Sequence, residues 1–141
     1  MNIKLLSGAT ATSAVPTAAT DGFSLRPDRS DSTQKLGAGT FSDAVLFLKS
    51  TAGSGTMTVT VKLWVYNDFA AAWAPLGTHA TDATRGRINE GNAIGEVDTD
   101  SLRHTERVNA LEHYDRVYAQ VTAIGGTATA VDLWLLARNA R

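Results

Sequence analysis

The three histidines, His79, His104 and His113, are the side chains whose type best suits metal binding or proton transfer. A zinc site would need histidine or cysteine ligands at short local spacing, together with a third ligand. His104 and His113 are nine residues apart, His79 lies in a Gly/Thr-containing stretch, and the chain has no cysteine. The pattern therefore predicts three solvent-facing histidines and no metal site. The lack of cysteine also removes disulfides and a thiol nucleophile.

A short acidic run, DTDS, offers a second possible ligand set through Asp98, Asp100 and Ser101. It matches part of a calcium loop, but the third oxygen ligand, the central glycine and the terminal glutamate of an EF-hand are missing. We expect a turn with solvated carboxylates. The chain also has no GxSxG elbow, no P-loop and no GxGxxG after a strand. These observations predict a protein that is not an enzyme and that uses no cofactor.

Asp132 is the one carboxylate set inside a strongly apolar strand pattern, VDLWLL. A charge in such a position must be exposed or paired, because burial of a lone carboxylate costs several kcal/mol or shifts its pKa. Arg116 and Arg138 are the candidate partners. Asp132 is then either an ordinary exposed strand residue or a contact in an assembly interface.

Composition limits the classes of partner. The chain of 141 residues has 13 Lys and Arg against 14 Asp and Glu, a net charge of −1. Binding by neutralisation of phosphates needs many clustered cations, so we expect no nucleic acid partner. No apolar run approaches the length of a membrane span, and the apolar run at residues 3–6 is too short for a signal peptide. We therefore expect a soluble, unprocessed protein with no membrane partner.

Two stretches carry the clearest strand patterns. In GTMTVTVKLWVY, residues 57–66 alternate apolar and polar side chains, which predicts a strand with one buried side. The apolar run AVLFLK, residues 44–49, predicts a central strand that pairs with it as a hairpin through STAGSG. In YDRVYAQVTAIGGTATAVDLWLLAR, Gly125 and Gly126 predict a second hairpin, and matching of the two apolar faces favours a three-residue loop from Gly125 to Thr127.

The weaker strand candidates are residues 3–6, 23–25, 73–76, 94–97 and 101–107, with a short helix near residues 109–113 as an alternative. Seven to nine strands separated by turns predict an all-β domain, a jelly roll or a β-sandwich of two packed antiparallel sheets. Residues 1–22 are rich in Ala, Thr, Ser and Gly and predict a flexible N-terminal arm. It is either a frayed terminus or an arm that orders on a neighbouring subunit. Residues 23–141 form the single domain.

Four aromatic residues, Trp64, Tyr66, Tyr118 and Trp134, fall on the strand faces opposite the aliphatic ones. Their surface is either covered by the domain's own loops or exposed to a partner, because large free apolar patches are scarce. An exposed aromatic surface marks a protein interface or a platform on which sugars stack. Both readings stay open on the sequence alone.

Two segments resemble small virion proteins of tailed bacteriophages. In VKLWVYNDFAAAWAPLG a strand ends in an aromatic residue, a turn of small residues follows, and a Trp-x-Pro-Leu-Gly edge closes the unit. The C-terminal segment is similar, with a Tyr-led strand, a Gly turn and a strand that closes with Trp-Leu. The chain thus resembles capsid decoration, or cement, proteins with jelly-roll-like folds. The resemblance implies binding to the outer capsid surface of the virion, as a dimer or trimer that bridges subunits of the major capsid protein.

The residues that we expect to bind a partner lie in the N-terminal arm, in the polar loop RPDRSD and on the aromatic face. They are Ile3, Leu5, Arg26, Asp28, Arg29, Trp64, Tyr66, Tyr118 and Trp134.

Two other classes of function remain as alternatives. One is a carbohydrate- or receptor-binding module of a phage tail fibre, which would stack sugars on exposed tryptophans. The other is a small β-fold enzyme that uses the polar loops at residues 26–40 and 80–100.

Overall fold

A computed structural model of the chain describes residues 2–25, 41–82, 87–90, 96–98, 101–108 and 111–139. These residues form eight strands and one 3-10 turn, Leu111–His113. The strands are β1 (Asn2–Ala9), β2 (Phe23–Ser24), β3 (Phe41–Asn67), β4 (Ala72–Asp82), β5 (Arg87–Glu90), β6 (Glu96–Asp98), β7 (Ser101–Val108) and β8 (Arg116–Asn139). None of the helical structure in these ranges is long and apolar enough to cross a membrane.

The fold is organised by two very long antiparallel strands, β3 with 27 residues and β8 with 24. They pair from Phe41 opposite Asn139 to Tyr66 opposite Arg116, and each strand contributes to two packed sheets. In the first sheet β7 and β1 flank the pair formed by the first half of β3 and the second half of β8. In the second sheet β4 and β2 flank the other halves, and β5 extends the sheet beyond β4. The predicted β-sandwich is confirmed.

The register of the long pair shifts at four places, and the largest irregularity is where β3 residues 52–57 lie opposite β8 residues 126–128. The residues of β3 that face the core change from even-numbered to odd-numbered across this irregularity. Buried residues before it are even-numbered, as at Leu46 and Leu48, and buried residues after it are odd-numbered, as at Val61 and Leu63. One core results, with the aliphatic residues of both halves in a single cluster. The buried faces predicted for β8, such as Val117 with Val121 and Val131 with Leu135, are confirmed.

Both hairpins predicted from glycine-rich segments are wrong. STAGSG continues β3, and Gly125 and Gly126 continue β8, where they lie opposite Thr58 and Met57. Each predicted pair of strands is one long strand that pairs with the other long strand. Glycine lacks the Cβ that restricts strongly twisted or bent backbone, so the same residues that suit a tight turn also suit a bent strand.

The N-terminal segment, residues 2–25, lies on the chain's own domain, whereas the sequence offered a frayed terminus or an arm that orders on a neighbouring subunit. β1 pairs with β8, from Asn2 opposite Leu136 to Ala9 opposite Val131. Leu5 is buried in the core. The small, polar composition predicted too little apolar burial for docking. The docking depends largely on main-chain hydrogen bonds, which composition does not register.

Candidate functional site

Three aromatic side chains of the second sheet pack together on its outer face. Tyr66 lies opposite Trp73 on β4, and their ring centroids are 5.3 Å apart. Trp73 also meets Tyr118 edge-on at 6.4 Å, and Tyr118 lies opposite Trp64. Tyr66 is buried, whereas Trp73, Tyr118 and the neighbouring Trp64 are half-buried. Trp73 joins this cluster although the sequence patterns did not place it there.

A strap, defined as residues 10–22, crosses this outer face and covers part of it. The Trp73 indole Nε1 donates a hydrogen bond to the carbonyl oxygen of Ala18 at 2.9 Å. The Gln120 amide Nε2 donates to the carbonyl oxygen of Thr12 at 2.9 Å, and the Thr12 N–H donates to the Val121 carbonyl oxygen at 2.9 Å. The strap, which belongs to the same chain, thus covers part of the aromatic face. The sequence alone left open whether the domain's own loops or a partner would cover that face.

Arg116 fixes the end of the strap. Its Nε donates to the carbonyl oxygen of Asp21 at 2.7 Å, and its Nη2 donates to those of Thr20 at 2.9 Å and Gly22 at 3.0 Å. Charge-assisted bonds of this kind are stronger than neutral ones. The Asp21 carboxylate in turn accepts the N–H groups of Thr17 and Ala18, and chiefly these bonds lower the pKa of Asp21.

Trp134 lies apart from the other aromatics, on the first sheet. Its ring meets Phe47 edge-on at 5.8 Å, and the Lys4 ammonium lies 5.0 Å from its centroid. Lys4 also forms an ion pair with Asp132 at 3.3 Å. Of the two candidate partners of Asp132, Arg116 binds the strap instead, and the side chain of Arg138 lies outside those that the structure describes. Trp134 thus lies on a different sheet from Trp64, Tyr66 and Tyr118.

Asp132 connects this group to β1. Its Oδ1 accepts the N–H of Gly8 at 2.9 Å. This bond, reinforced by Lys4 and Lys49, lowers the pKa of Asp132 below the ordinary value, against a smaller opposing effect of burial. The carboxylate therefore stays ionised and fastens the end of β1 to β8.

A shallow, open depression of about 420 Å³ lies between the strap and β8. Its lining is uncharged and mostly hydroxyl-bearing: Ala11, Thr12, Ser13, Gln120 and Thr122. Both ends of the Gln120 amide are already engaged, because its Oε1 also accepts the Trp64 indole N–H at 3.0 Å. None of these side chains is an acid, base or activated nucleophile, so this lining offers hydrogen bonds rather than catalysis.

The most exposed large apolar side chain in the described part of the chain is Phe69, at the tip of the β3–β4 hairpin. Its relative exposure is 101%, so the whole ring faces solvent. The tip is tightly held: the Ala71 N–H donates to the Asn67 carbonyl at 2.8 Å, and the Ala70 N–H donates to the Asn67 side chain at 2.9 Å. The Asp68 N–H donates to the Asp115 carboxylate at 2.6 Å, so a buried residue of the body anchors the turn.

The neighbours of Phe69 extend its apolar surface. Ala70, Ala71, Ala72 and Ala74 are all exposed, and Pro75 follows them. Ala71 has a φ of 51°, in the left-handed region that residues other than glycine rarely adopt. Sequence reasoning treated NDFAAA only as a turn. An aromatic residue inside a turn of small residues was the signal that could have identified the tip.

The predicted partner-binding residues are dispersed. Leu5 and Tyr66 are buried, and their side chains pack within the chain's own domain. Those that keep partial exposure are Ile3, Trp64, Tyr118 and Trp134. The predictions for Arg26, Asp28 and Arg29 lie outside the described residues.

The candidate metal ligands are also separated. His113 is exposed in the 3-10 turn, whereas His79 and His104 belong to β4 and β7. Within the residues that the structure describes, no group of three or more His, Cys, Asp or Glu could hold a metal ion. Asp98 ends β6, and Asp100 lies outside the described residues.

Comparison with known proteins adds no relative: no family model, no curated protein and no solved structure matches this chain.

Proposed function

We propose that this protein is a structural component of a bacteriophage virion that binds the outer surface of the assembled capsid and cements neighbouring subunits of the major capsid protein. In this proposal it acts without catalysis or cofactor, as a dimer or trimer, and its sandwich has a jelly-roll-like arrangement. The support is the sequence resemblance to decoration proteins together with one structural feature, the exposed hairpin tip.

The observation that carries the proposal is Phe69. It lies in the middle of VKLWVYNDFAAAWAPLG, one of the two segments that resemble decoration proteins, and this segment forms the end of β3, the hairpin tip and the start of β4. A large aromatic ring that is fully exposed on a rigid turn is costly to keep in water, and such side chains often anchor protein interfaces. The tip would insert into an apolar pocket of a capsid subunit.

The energy of such a contact is modest for one copy and large for an assembly. Full burial of a Phe side chain is worth about 1.5–3 kcal/mol relative to exposure. A dimer or trimer that engages two or three pockets gains avidity, since each later contact forms at a high effective concentration. Many weak, identical contacts across subunit boundaries would then hold the shell together.

The first test is the copy number of the protein in gradient-purified native particles, measured by quantitative mass spectrometry against the major shell subunit. The proposal predicts about as many copies as a decorated shell has binding positions, on the order of one per subunit or per symmetry axis. A handful of copies per particle would move the protein to the tail and favour a receptor-binding module. Absence from particles would refute the viral assignment.

The second test asks whether the tip makes the contact. The proposal predicts that Phe69→Ala lowers the affinity for undecorated capsids at least tenfold, because about 1.4 kcal/mol corresponds to a factor of ten. Leu136→Ala is the matched control: Leu136 is 38% exposed, and it lies on the other sheet. Equal binding of wild type and Phe69→Ala would remove the tip from the interface.

A further inference from the structure

We propose that the N-terminal segment, residues 2–25, is exchanged between copies of this chain, so that the segment of one copy docks reciprocally on the body of a second copy. The body is the part of the domain from β3 onward. The partner is therefore a second copy of this chain, and the contact surface is the one that the segment occupies in the structure. This inference concerns the isolated protein and holds whether or not the protein binds a capsid.

The first argument is the kind of contact that the strap makes. Three body side chains, Trp73, Arg116 and Gln120, donate hydrogen bonds to main-chain carbonyl oxygens of the strap. β1 docks through a main-chain ladder on the edge of β8. These hydrogen bonds depend on the path of the segment's main chain. The same segment of another copy can therefore form every one of them.

The second argument is that exchange preserves the contacts of the segment, apolar as well as polar. In the strap, residues 10–15 and 17–20 are exposed, and Pro16 is buried. In β1 the pairing with β8 has two register shifts within eight residues, and Leu5 is the buried residue. Leu5 and Leu25 lie in the core, and Ile3, Leu6 and Ala9 pack against it. A segment docked on a second copy restores these apolar contacts, so exchange leaves the buried apolar area unchanged.

The third argument is that the docking surface must be occupied. Gln120 is only 6% exposed with the strap in place, and without the strap its amide Nε2 would exchange the Thr12 carbonyl for water. The edge of β8 beside β1 would also present unpaired main-chain groups, which attract another strand. A vacated surface thus favours capture of a second copy's segment.

The fourth argument is reach. Residues 26–40 separate the segment from β3, and at full extension these residues span at most about 50 Å. A domain of this size has a radius of gyration of about 14 Å, so the connection is long enough to reach a neighbouring body. A segment joined to its own body by a connection of this length is held at an effective concentration in the millimolar range. Exchange therefore competes with self-docking where copies are crowded to about 1 mM.

The experiment uses the absence of cysteine from the chain. Asn2 and Leu136 are opposed in the β1–β8 ladder, and both are exposed. Opposed residues have Cα atoms about 4.5–5.5 Å apart, within the range that a disulfide accepts. Single variants Asn2→Cys and Leu136→Cys are mixed, unfolded together in urea, refolded at about 1 mM and at about 10 μM, and then oxidised. Non-reducing electrophoresis and mass spectrometry measure the disulfide-linked heterodimer.

Exchange predicts a heterodimer at the higher concentration that is several-fold more abundant than in a control mixture of Asn2→Cys with Ala123→Cys. Ala123 is exposed as well, but it lies opposite Thr60 in the other sheet. Exchange also predicts that the heterodimer declines on dilution. A heterodimer yield no greater than that of the control mixture at about 1 mM would overturn the proposal, and joint refolding ensures that slow release of the segment cannot hide exchange.

Discussion

Gly22, at the end of the strap, is the position where one added methyl group should do most harm to the docking of the N-terminal segment. Its φ is +66°, and a Cβ placed there would lie 2.3 Å from the Val117 carbonyl oxygen and 3.2 Å from the Tyr118 Cβ. Gly8 provides a matched control because its φ is similar, +57°, yet a Cβ there would have no neighbour within 4 Å. Gly8→Ala thus tests the backbone conformation alone, and Gly22→Ala tests conformation plus collision.

The expected magnitudes follow from this difference. The left-handed conformation costs a residue with a Cβ about 1–2 kcal/mol, and alanine recovers part of this by restricting the unfolded chain. Gly8→Ala should therefore lower the free energy of unfolding by about 1 kcal/mol. In Gly22→Ala the backbone around residue 22 must also move away from β8. That movement sacrifices two or three hydrogen bonds of Arg116 at roughly 1 kcal/mol each, for a total of about 3 kcal/mol.

Urea unfolding followed by tryptophan fluorescence measures both variants, because Trp73 binds the strap directly. With a slope of about 1–3 kcal/mol per molar urea, a 2 kcal/mol difference separates the two midpoints by about 1 M. If Gly8→Ala and Gly22→Ala lower the free energy of unfolding by the same amount, to within about 0.5 kcal/mol, the reasoning is refuted. The contact between residue 22 and β8 would then be too loose to matter.

Three further predictions concern the acid response, the strap and the core. Asp132 has its pKa lowered in the folded chain, so its stabilising contribution is present above the ordinary value of 3.8 and is lost as pH falls through the lower folded pKa. Asp132→Asn should therefore reduce the fall in urea midpoint between pH 7 and pH 3. Trp73→Phe removes the hydrogen bond to Ala18 and should lower the free energy of unfolding by about 1 kcal/mol in urea titrations. Leu63→Ala empties a fully buried position and should cost about 2–5 kcal/mol by the same assay.

Each of these predictions has its own control. An acid response that is unchanged in Asp132→Asn would show that other carboxylates dominate it. Tyr118→Phe leaves the Trp73 bond intact, so it should preserve protection of the strap amides from hydrogen exchange, whereas Trp73→Phe should lower it. Leu136→Ala should change stability by no more than about 0.5 kcal/mol, because Leu136 is a surface residue. A similar cost for Leu63→Ala and Leu136→Ala would contradict the assignment of the core.

Side-chain alternation predicted the buried faces well because it depends only on the period of two of a strand. Val61 and Leu63 on β3, and Val131 and Leu133 on β8, are buried as their spacing indicated. The pairing of strands could not be obtained in the same way. Gly125 and Gly126 satisfy the local requirements of both a hairpin and a bend, and only the presence of β3 along the whole of β8 decides between them.

The candidate site was also predictable only in part, because side-chain patterns show the faces of a strand but not its neighbours. Trp64 and Tyr118 each lie on the strand face opposite the aliphatic residues, as their parity predicted, but their position opposite each other was not predicted. Trp134 has the same parity, but it lies beyond the irregularity in β8, so it belongs to the first sheet. The role of the strap was missed because its main contacts are carbonyl oxygens, which every residue carries and no side-chain pattern reveals.

The two long strands also explain why an exposed tip can be rigid. β3 runs without interruption from the first sheet, through the bend, to the base of the β3–β4 hairpin. It therefore anchors the tip in both sheets, and the bond from Asp68 to Asp115 fixes the tip to the start of β8. An anchor that is already ordered loses little conformational entropy when it binds, so most of the burial energy of Phe69 remains available as affinity. The bend in β3 made the prediction of the hairpins wrong. Because the bent strand runs through both sheets, it also gives the tip the rigidity that a docking residue needs.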